Sequence, residues 1–428
     1  MGYLLLVISI WYFIKNKKDK LFTILIFSIF AFPNNAYIKS KLLFNILTVD
    51  ISYVVIAMIL VLWVLSLLKT KIVQLYPKDI LFLFFTVAII IYFFIGKYNG
   101  TQFLIEDFKI YLTLLLLYLV IKICVKSQKD FIYTLNTLCI MSLIYSISII
   151  IIYFFFKDSL GLFYGERLSA WWENTNRISF GNTSFLLITS SMIYYKLISK
   201  DYGKKIISFF LLVMNIVAIL LSQNRTLIVL TVTSLVLIQC YVLFKTIHSK
   251  KLGKKGVLLN SFIYLFLFSC LAISMQGKVD ISNNFILDLQ NRFSTNLDSL
   301  DVRSNGNRVA WDRIMNNKLG EGIGAQVTAY SANWKYSYEG NFIDNIYMTI
   351  GVKFGLFGLT ILIIMILKSI LNLINDYKKT RNSLFIVLVI SYLLSLILTT
   401  YMNAQIVYTV SLSFIFLLFL NLEDQDIE

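Results

Sequence analysis

The chain has 428 residues, 58% of them hydrophobic, with only two prolines, a mean hydropathy of +0.76 and a net charge of +16. A soluble globular fold is excluded by that apolar load, because runs near the ~20 residues that cross a bilayer recur along the whole sequence. Nucleic-acid binding is set aside too, since most lysines lie in short loops between apolar runs, where they orient spans.

Apolar segments fall near 2–14, 21–33, 51–68, 80–96, 110–125, 131–156, 178–197, 206–222, 226–247, 257–275, 344–371, 384–401 and 405–422. In hydrocarbon only helices of this length satisfy their own backbone polar groups, so the expected fold is an all-α, polytopic transmembrane bundle of about 12 to 13 spans. No internal repeat, low-complexity tract or Gly/Pro linker divides it, so residues 1–428 are expected to form one integral membrane domain. The first segment has neither a basic leader nor a small-residue cleavage site and is expected to stay. Cys124, Cys139, Cys240 and Cys270 lie within or at the ends of apolar runs, without a C-x-x-C pair, and read as small core residues.

Alternate loops carry the lysines: KNKKDK at 15–20, KTKIVQLYPKD at 69–79, KSQKD at 126–130, KLISKDYGKK at 196–205, KTIHSKKLGKKG at 245–256 and DYKKTR at 376–381. The positive-inside rule makes these cytoplasmic. The N-terminus is then outside, the acidic tail EDQDIE inside, and the one long loop, 276–343, outside. Lysine and arginine part company across this topology. Of 31 lysines, 22 lie in or beside inside loops and 8 outside, and Lys353 is within a span; of 8 arginines only Arg381 is inside. Orientation is served by either residue, whereas bidentate phosphate recognition favours the guanidinium fork. Arginine gathered on the outer face therefore suggests a bound anion there; the plainer alternative is that outer loops are simply polar.

Four stretches carry candidate chemistry. GLFYGERLSAWWENTNR, 161–177, joins Arg167 and Arg177 to Glu166, Glu173, Trp171 and Trp172. Its tryptophans suit an interfacial belt or the C–H face of a sugar equally well. SQNRT, 222–226, holds Arg225 in a short outer join close to the bilayer surface. Snorkelling explains such a residue, but the positive-inside rule disfavours it there, which points to binding.

The long loop holds Arg292, Arg303, Arg308 and Arg313. Asn305 or Asn307 is expected to cap a short helix at about 308–317, with Trp311, Ile314 and Met315 on the face that meets the membrane domain. Gly320, Gly322 and Gly324 of LGEGIG then permit a tight turn or a close approach of backbone N–H groups to an anion. Arg308 and Arg313 are five positions apart, so at most one is expected to face a bound group. The fourth stretch is FIDNIYMTIGVKFGLFG, 342–358, where Asp344 lies at the start of a helix and Lys353 lies ~13 Å further along it, on the opposite face. A charge within a span is a functional candidate or half of an ion pair; the sequence alone does not identify a partner for Lys353.

In this order the stretches resemble the family of bacterial O-antigen polymerases and O-antigen ligases. The resemblance covers roughly residues 160–360. It rests on Arg225 in SQNR, R-x-x-W (Arg308, Trp311), G-x-G (Gly322, Gly324), the polar Asp344 before N-x-Y (Asn345, Tyr347), and the glycine-rich GVKFGLFG. It implies a metal-independent glycosyltransferase without a cofactor, with a GT-C-like membrane core. Such an enzyme sits in the bacterial cytoplasmic membrane, works on its outer, periplasmic face and handles polyprenyl-diphosphate-linked oligosaccharides as donor and acceptor. A chain-length regulator protein is an implied partner besides the lipid bilayer. Ligases of this family carry a histidine near the position of Asp344, whereas the only histidine here, His248, lies in an inside loop; this favours a polymerase.

The chemistry implied is release of a lipid diphosphate, whose developing charge arginines stabilise, and attack by a sugar hydroxyl that needs a base. Arg225, Arg308 and, as base, Asp344 are the candidate catalytic residues, with Glu173 and Glu339 as reserves for the base. Arg167, Arg177, Glu173, Trp172, Arg292, Arg313, Trp311, Gly322, Gly324 and Tyr347 are the candidate binding residues. In-line attack inverts the anomeric centre, yet some polymerases of this type are expected to retain it, so the outcome stays open. A flippase for the same lipid-linked sugars also fits a cationic site among many spans, but lacks repeat halves here and does not need a long loop.

Overall fold

A computed structural model describes residues 2–33, 45–46, 49–70, 77–156, 181–199, 205–222, 224–248, 298–329, 338–343, 345–401 and 410–422. Its helices are α1 (Gly2–Ile14), α2 (Lys18–Phe30), α3 (Ile51–Thr70), α4 (Pro77–Tyr98), α5 (Leu104–Cys124), α6 (Gln128–Phe155), α7 (Phe185–Ile198), α8 (Lys205–Leu221), α9 (Arg225–His248), α10 (Asp298–Asn316), α11 (Ile346–Thr380), α12 (Leu384–Tyr401) and α13 (Val410–Leu420). Two small antiparallel strand pairs accompany them, Asn45–Ile46 with Val49–Asp50 and Val327–Ala329 with Tyr338–Gly340.

Four of the described helices are long and apolar enough to cross a membrane, those containing Ile51–Leu68, Gln128–Phe155, Arg225–Lys245 and Ile346–Thr380, and five shorter apolar helices accompany them. The expectation of a helical membrane protein is met at this level. Each predicted apolar segment contains a helix among its described residues except 257–275, which lies outside them, as do 178–180, 344 and 405–409. The run expected to end at 371 continues as helix to Thr380, where Arg381 closes it in the left-handed region at φ 56°.

Helix ends are tied by short polar side chains. Ser127 and Asp130 form a reciprocal capping box at the start of α6, and Asn345 Oδ1 accepts the N–H groups of Tyr347 (3.0 Å) and Met348 (3.3 Å) at the start of α11. Packing places two short helices in the middle. Nearly every residue of α7 and α13 is buried, as expected of a helix that is apolar all round. Around α7 stand α6, α8, α9 and α12, and α13 lies against α5 and α11. Phe30 of α2 joins the two centres, its ring 5.1 Å from Phe185 of α7 and 5.4 Å from Phe414 of α13.

Lipid tails are as apolar as leucine, so association in a bilayer depends on close packing and interhelical hydrogen bonds. A polar seam supplies them here. Asn215 of α8 accepts from Ser146 (2.9 Å) and donates to Ser142 (3.0 Å) of α6 and to Thr189 (3.4 Å) of α7. Ser191 meets Ser234 of α9 at 2.6 Å, and the Tyr194 hydroxyl donates to Gln239 at 2.8 Å. Asn215→Leu is expected to lower the unfolding free energy by ~1 kcal/mol, read as an earlier midpoint in a denaturing-detergent titration of helix content; an unchanged midpoint means the seam is dispensable.

Candidate functional site

The site begins with a defect in α11. Gly355 sits at φ 63° and ψ −164°, so the helix breaks there. In an unbroken helix the carbonyls of Val352 and Lys353 accept the N–H groups of residues 356 and 357. Here Val352 O accepts from Glu321 N and Lys353 O from Gly322 N, both at 2.9 Å, while Leu356 N donates to Lys318 O at 3.0 Å. The 318–322 turn thus repairs the break, and no intrahelical bond is lost without a replacement at these three groups.

The same turn is sewn to two other helices. Ile323 N donates to Tyr92 O of α4 (2.9 Å), Phe103 N to Gly324 O (3.1 Å), Thr101 Oγ1 to Ile323 O (2.7 Å) and Asn99 Nδ2 to Glu321 O (2.9 Å). Only glycine allows this approach. A Cβ added at Gly322 would lie 2.3 Å from Gly96 N, and one at Gly324 2.3 Å from Leu104 N, with φ of 98° and 82° at the two positions.

Lys353, two residues before the break, and Asp107 of α5 lie beside this seam. Their side chains are wholly buried and form an ion pair. Asp107 Oδ2 also accepts Gly324 N at 2.9 Å, and its Oδ1 accepts Asn341 Nδ2 at 2.9 Å; Lys353 Nζ donates in addition to Asn341 O. Four chain segments therefore converge on one carboxylate and one ammonium. Phe354, next to Lys353, fixes the helix laterally with its ring 5.0 Å from both Tyr92 and Tyr111. Asp107 escaped the sequence reading because an acid in the first turn of a helix is ordinary dipole compensation. The available signal was Lys353 itself, which required a buried counter-charge.

The sequence-predicted residues are only partly assembled. Arg167, Arg177, Glu173, Trp172, Arg292 and Asp344 lie outside the described residues. The loop helix is longer than expected: α10 starts at Asp298, so neither Asn305 nor Asn307 caps it. The expected buried face is corrected as well. Ala310 and Ile314 are 1% exposed, whereas Trp311 and Met315 are 41% and 44% exposed, because the buried stripe follows the i, i+4 row through 306, 310 and 314. Ile314 lies directly over Gly351 of α11, where a Cβ would come within 2.5 Å of its Cδ1.

Arg313 points back into the loop, with Nε 2.8 Å from Glu321 Oε1, Nη2 2.5 Å from Oε2 and Nη1 2.8 Å from Gln326 O. Arg308 faces away, exposed, with Nη2 3.3 Å from Asn305 Oδ1. The two arginines diverge as their spacing predicts. Gly322 and Gly324 serve the tight turn, and the anion that Gly324 N–H approaches is the carboxylate of Asp107. Tyr347 is half-buried, its phenol hydrogen-bonded to Thr399 of α12. Arg225 is the first residue of α9, which packs on α7 and α12, while α10 packs on α11.

No family model matches the sequence, and no characterised protein or solved structure is significantly similar to it.

Chemically, the cluster is a clamp. It fixes residues 318–329 and 338–343 on α4, α5 and α11 and sets the direction in which α10 presents its exposed side. Removing one partner of a buried pair leaves an uncompensated charge, which costs ~3–5 kcal/mol. Asp107→Asn and Lys353→Met are each expected to destabilise by about that amount, and the double variant by less than either alone. Limited proteolysis at residues 298–345 and a detergent unfolding titration measure this; additive losses in the double variant mean the two side chains act separately.

Proposed function

We propose that this protein is a membrane glycosyltransferase that joins polyprenyl-diphosphate-linked oligosaccharide repeat units into a surface polysaccharide, an O-antigen, capsule or exopolysaccharide. In this reading it works at the outer face of the bacterial cytoplasmic membrane. The observation that carries the proposal is Arg308: an exposed guanidinium on a helix that is itself held to the membrane helices by a buried ion pair and a repaired helix break. Support also comes from the order of Arg225, R-x-x-W, G-x-G and N-x-Y along the chain, and from the outer concentration of arginine over lysine.

In the proposed reaction the hydroxyl of the acceptor repeat unit attacks the anomeric carbon of the donor glycan. The C–O bond to the diphosphate breaks, and its electron pair leaves on the diphosphate oxygen. Arg225 and Arg308 neutralise that oxygen, each charge-assisted bond contributing ~1.5–3 kcal/mol. Asp344 takes the hydroxyl proton. The clamp around Asp107 and Lys353 touches neither reactant in this scheme; it keeps α10 in register so that the arginine does not have to be ordered at the moment of reaction.

One observation favours the flippase alternative. An acid and a lysine buried together among membrane helices are a common device of transport paths. Here, however, both charges are also bonded to Gly324 and Asn341, so moving them would dismantle the turn that repairs α11.

Arg308→Lys and Arg225→Lys keep the charge and lose the fork. Each is expected to lower chain elongation by roughly ten- to a hundred-fold in proteoliposomes supplied with lipid-linked repeat units, with helix content unchanged. Wild-type ladder lengths from either variant on a glycan gel would remove that arginine from the mechanism. Asp344→Asn tests the base, and full activity in it would move that role to Glu173 or Glu339. Translocation of the lipid-linked sugar by the wild-type protein without any lengthening would establish the flippase reading.

A further inference from the structure

Away from the clamp, a cavity of about 260 Å³ lies between the first turns of α3, the first half of α5 and the first turn of α13. Ile110, Leu114, Leu117 and Val410 make one part of its wall apolar, and Tyr53, Thr113 and Ser413 make the other part polar. Lys109 stands at its rim, exposed, with Nζ 5.6 Å from the centre of the Tyr53 ring. The Tyr53 hydroxyl meets Thr113 Oγ1 at 3.1 Å just inside. Lys109, Thr113 and Leu117 recur every fourth residue, so α5 turns one face to the cavity. Along ~12 Å of helix that face passes from cation to hydroxyl to hydrocarbon.

We infer that this groove holds one anionic phospholipid of the bilayer, with its phosphodiester on Lys109 and the upper part of an acyl chain against the partly exposed Ile110 and Val410. Three features select that occupant. The volume lies below the ~300–1,000 Å³ of pockets that enclose a whole small ligand, so it suits a molecule that seats one portion and leaves the rest in the bilayer. The polarity gradient runs in the direction of a lipid. The rim offers a single ammonium, a point charge matched to a phosphodiester, whereas a diphosphate is better served by guanidinium forks. The described ion pairs are Arg313–Glu321 and Lys353–Asp107, so neither carboxylate neutralises Lys109. The inference does not depend on the glycan reaction: Lys109 is the sixth residue of α5, ~7.5 Å from its start, and takes no part in that scheme.

The test is native mass spectrometry of the full chain in mild detergent, titrated with phosphatidylglycerol, phosphatidylethanolamine and a polyprenyl monophosphate. One phosphatidylglycerol is expected to be retained in preference to the other two. Lys109→Gln should lower its retention about five-fold, the value of one basic residue near a membrane surface, and leave phosphatidylethanolamine unchanged. Leu114→Trp, which fills the cavity, should lower retention of phosphatidylglycerol with helix content intact. Wild-type retention in Lys109→Gln overturns the inference. Displacement of phosphatidylglycerol by an equimolar polyprenyl monophosphate overturns it as well and assigns the groove to the glycan carrier.

Discussion

A lysine in the middle of an apolar helix is the constraint from which the architecture around residues 318–345 follows. Lys353 is wholly buried, and an isolated ammonium in such surroundings is too costly to persist. Asp107 supplies the counter-charge, but a carboxylate has more lone pairs than one ammonium can satisfy. Gly324 and Asn341 supply the remaining donors, which brings two stretches of the inter-helix segment down onto α5. Once the turn lies there, the carbonyls released by the break at Gly355 have N–H partners within reach. Charge neutralisation and helix repair thus require the same turn, and neither is complete without it.

This arrangement bears on the proposed chemistry through rigidity. Catalytic side chains on a long segment between spans need support, because ordering them during the reaction would consume the binding energy they supply. The inter-helix segment is fastened at Lys318, Glu321, Gly322, Ile323, Gly324 and Asn341, and α10 packs along α11 through Ala310 and Ile314. Arg313 is used internally, closing the segment on Glu321 and Gln326. Arg308, one and a half turns earlier on the helix, is left pointing outward. The proposed phospholipid groove lies where α5 meets α3 and α13, just C-terminal to the first-turn Asp107 that anchors the loop.

Apart from α10, the helices were legible because each contains an apolar run that hydrocarbon permits in no other form. Their ends were less so: residues 372–380, mostly polar, continue α11, since a helix that emerges from the apolar region keeps its hydrogen bonds until a left-handed residue such as Arg381 stops it. Gly320, Gly322 and Gly324 announced a tight turn correctly, because that spacing of glycines has few other uses. What they turn against was not readable, since Gly96, Leu104 and Asp107 lie more than two hundred positions away. The face of α10 was misread for a different reason. Large side chains at 311 and 315 look like core, but it is Ile314 that packs over Gly351, with Ala310 buried in the same cluster. Arg308 and Arg313 diverge as five-residue spacing requires, which local geometry alone determines.

The clamp also carries a timetable. Its two charges are 246 residues apart in the chain, and at ~5–20 residues per second of synthesis the ribosome delivers the lysine roughly 10 to 50 s after the aspartate. During that interval Asp107 has neither Lys353 nor its Gly324 and Asn341 donors, all of which come later in the chain. The α4–α5 pair is therefore an unfinished half of the clamp until the C-terminal third of the polypeptide arrives.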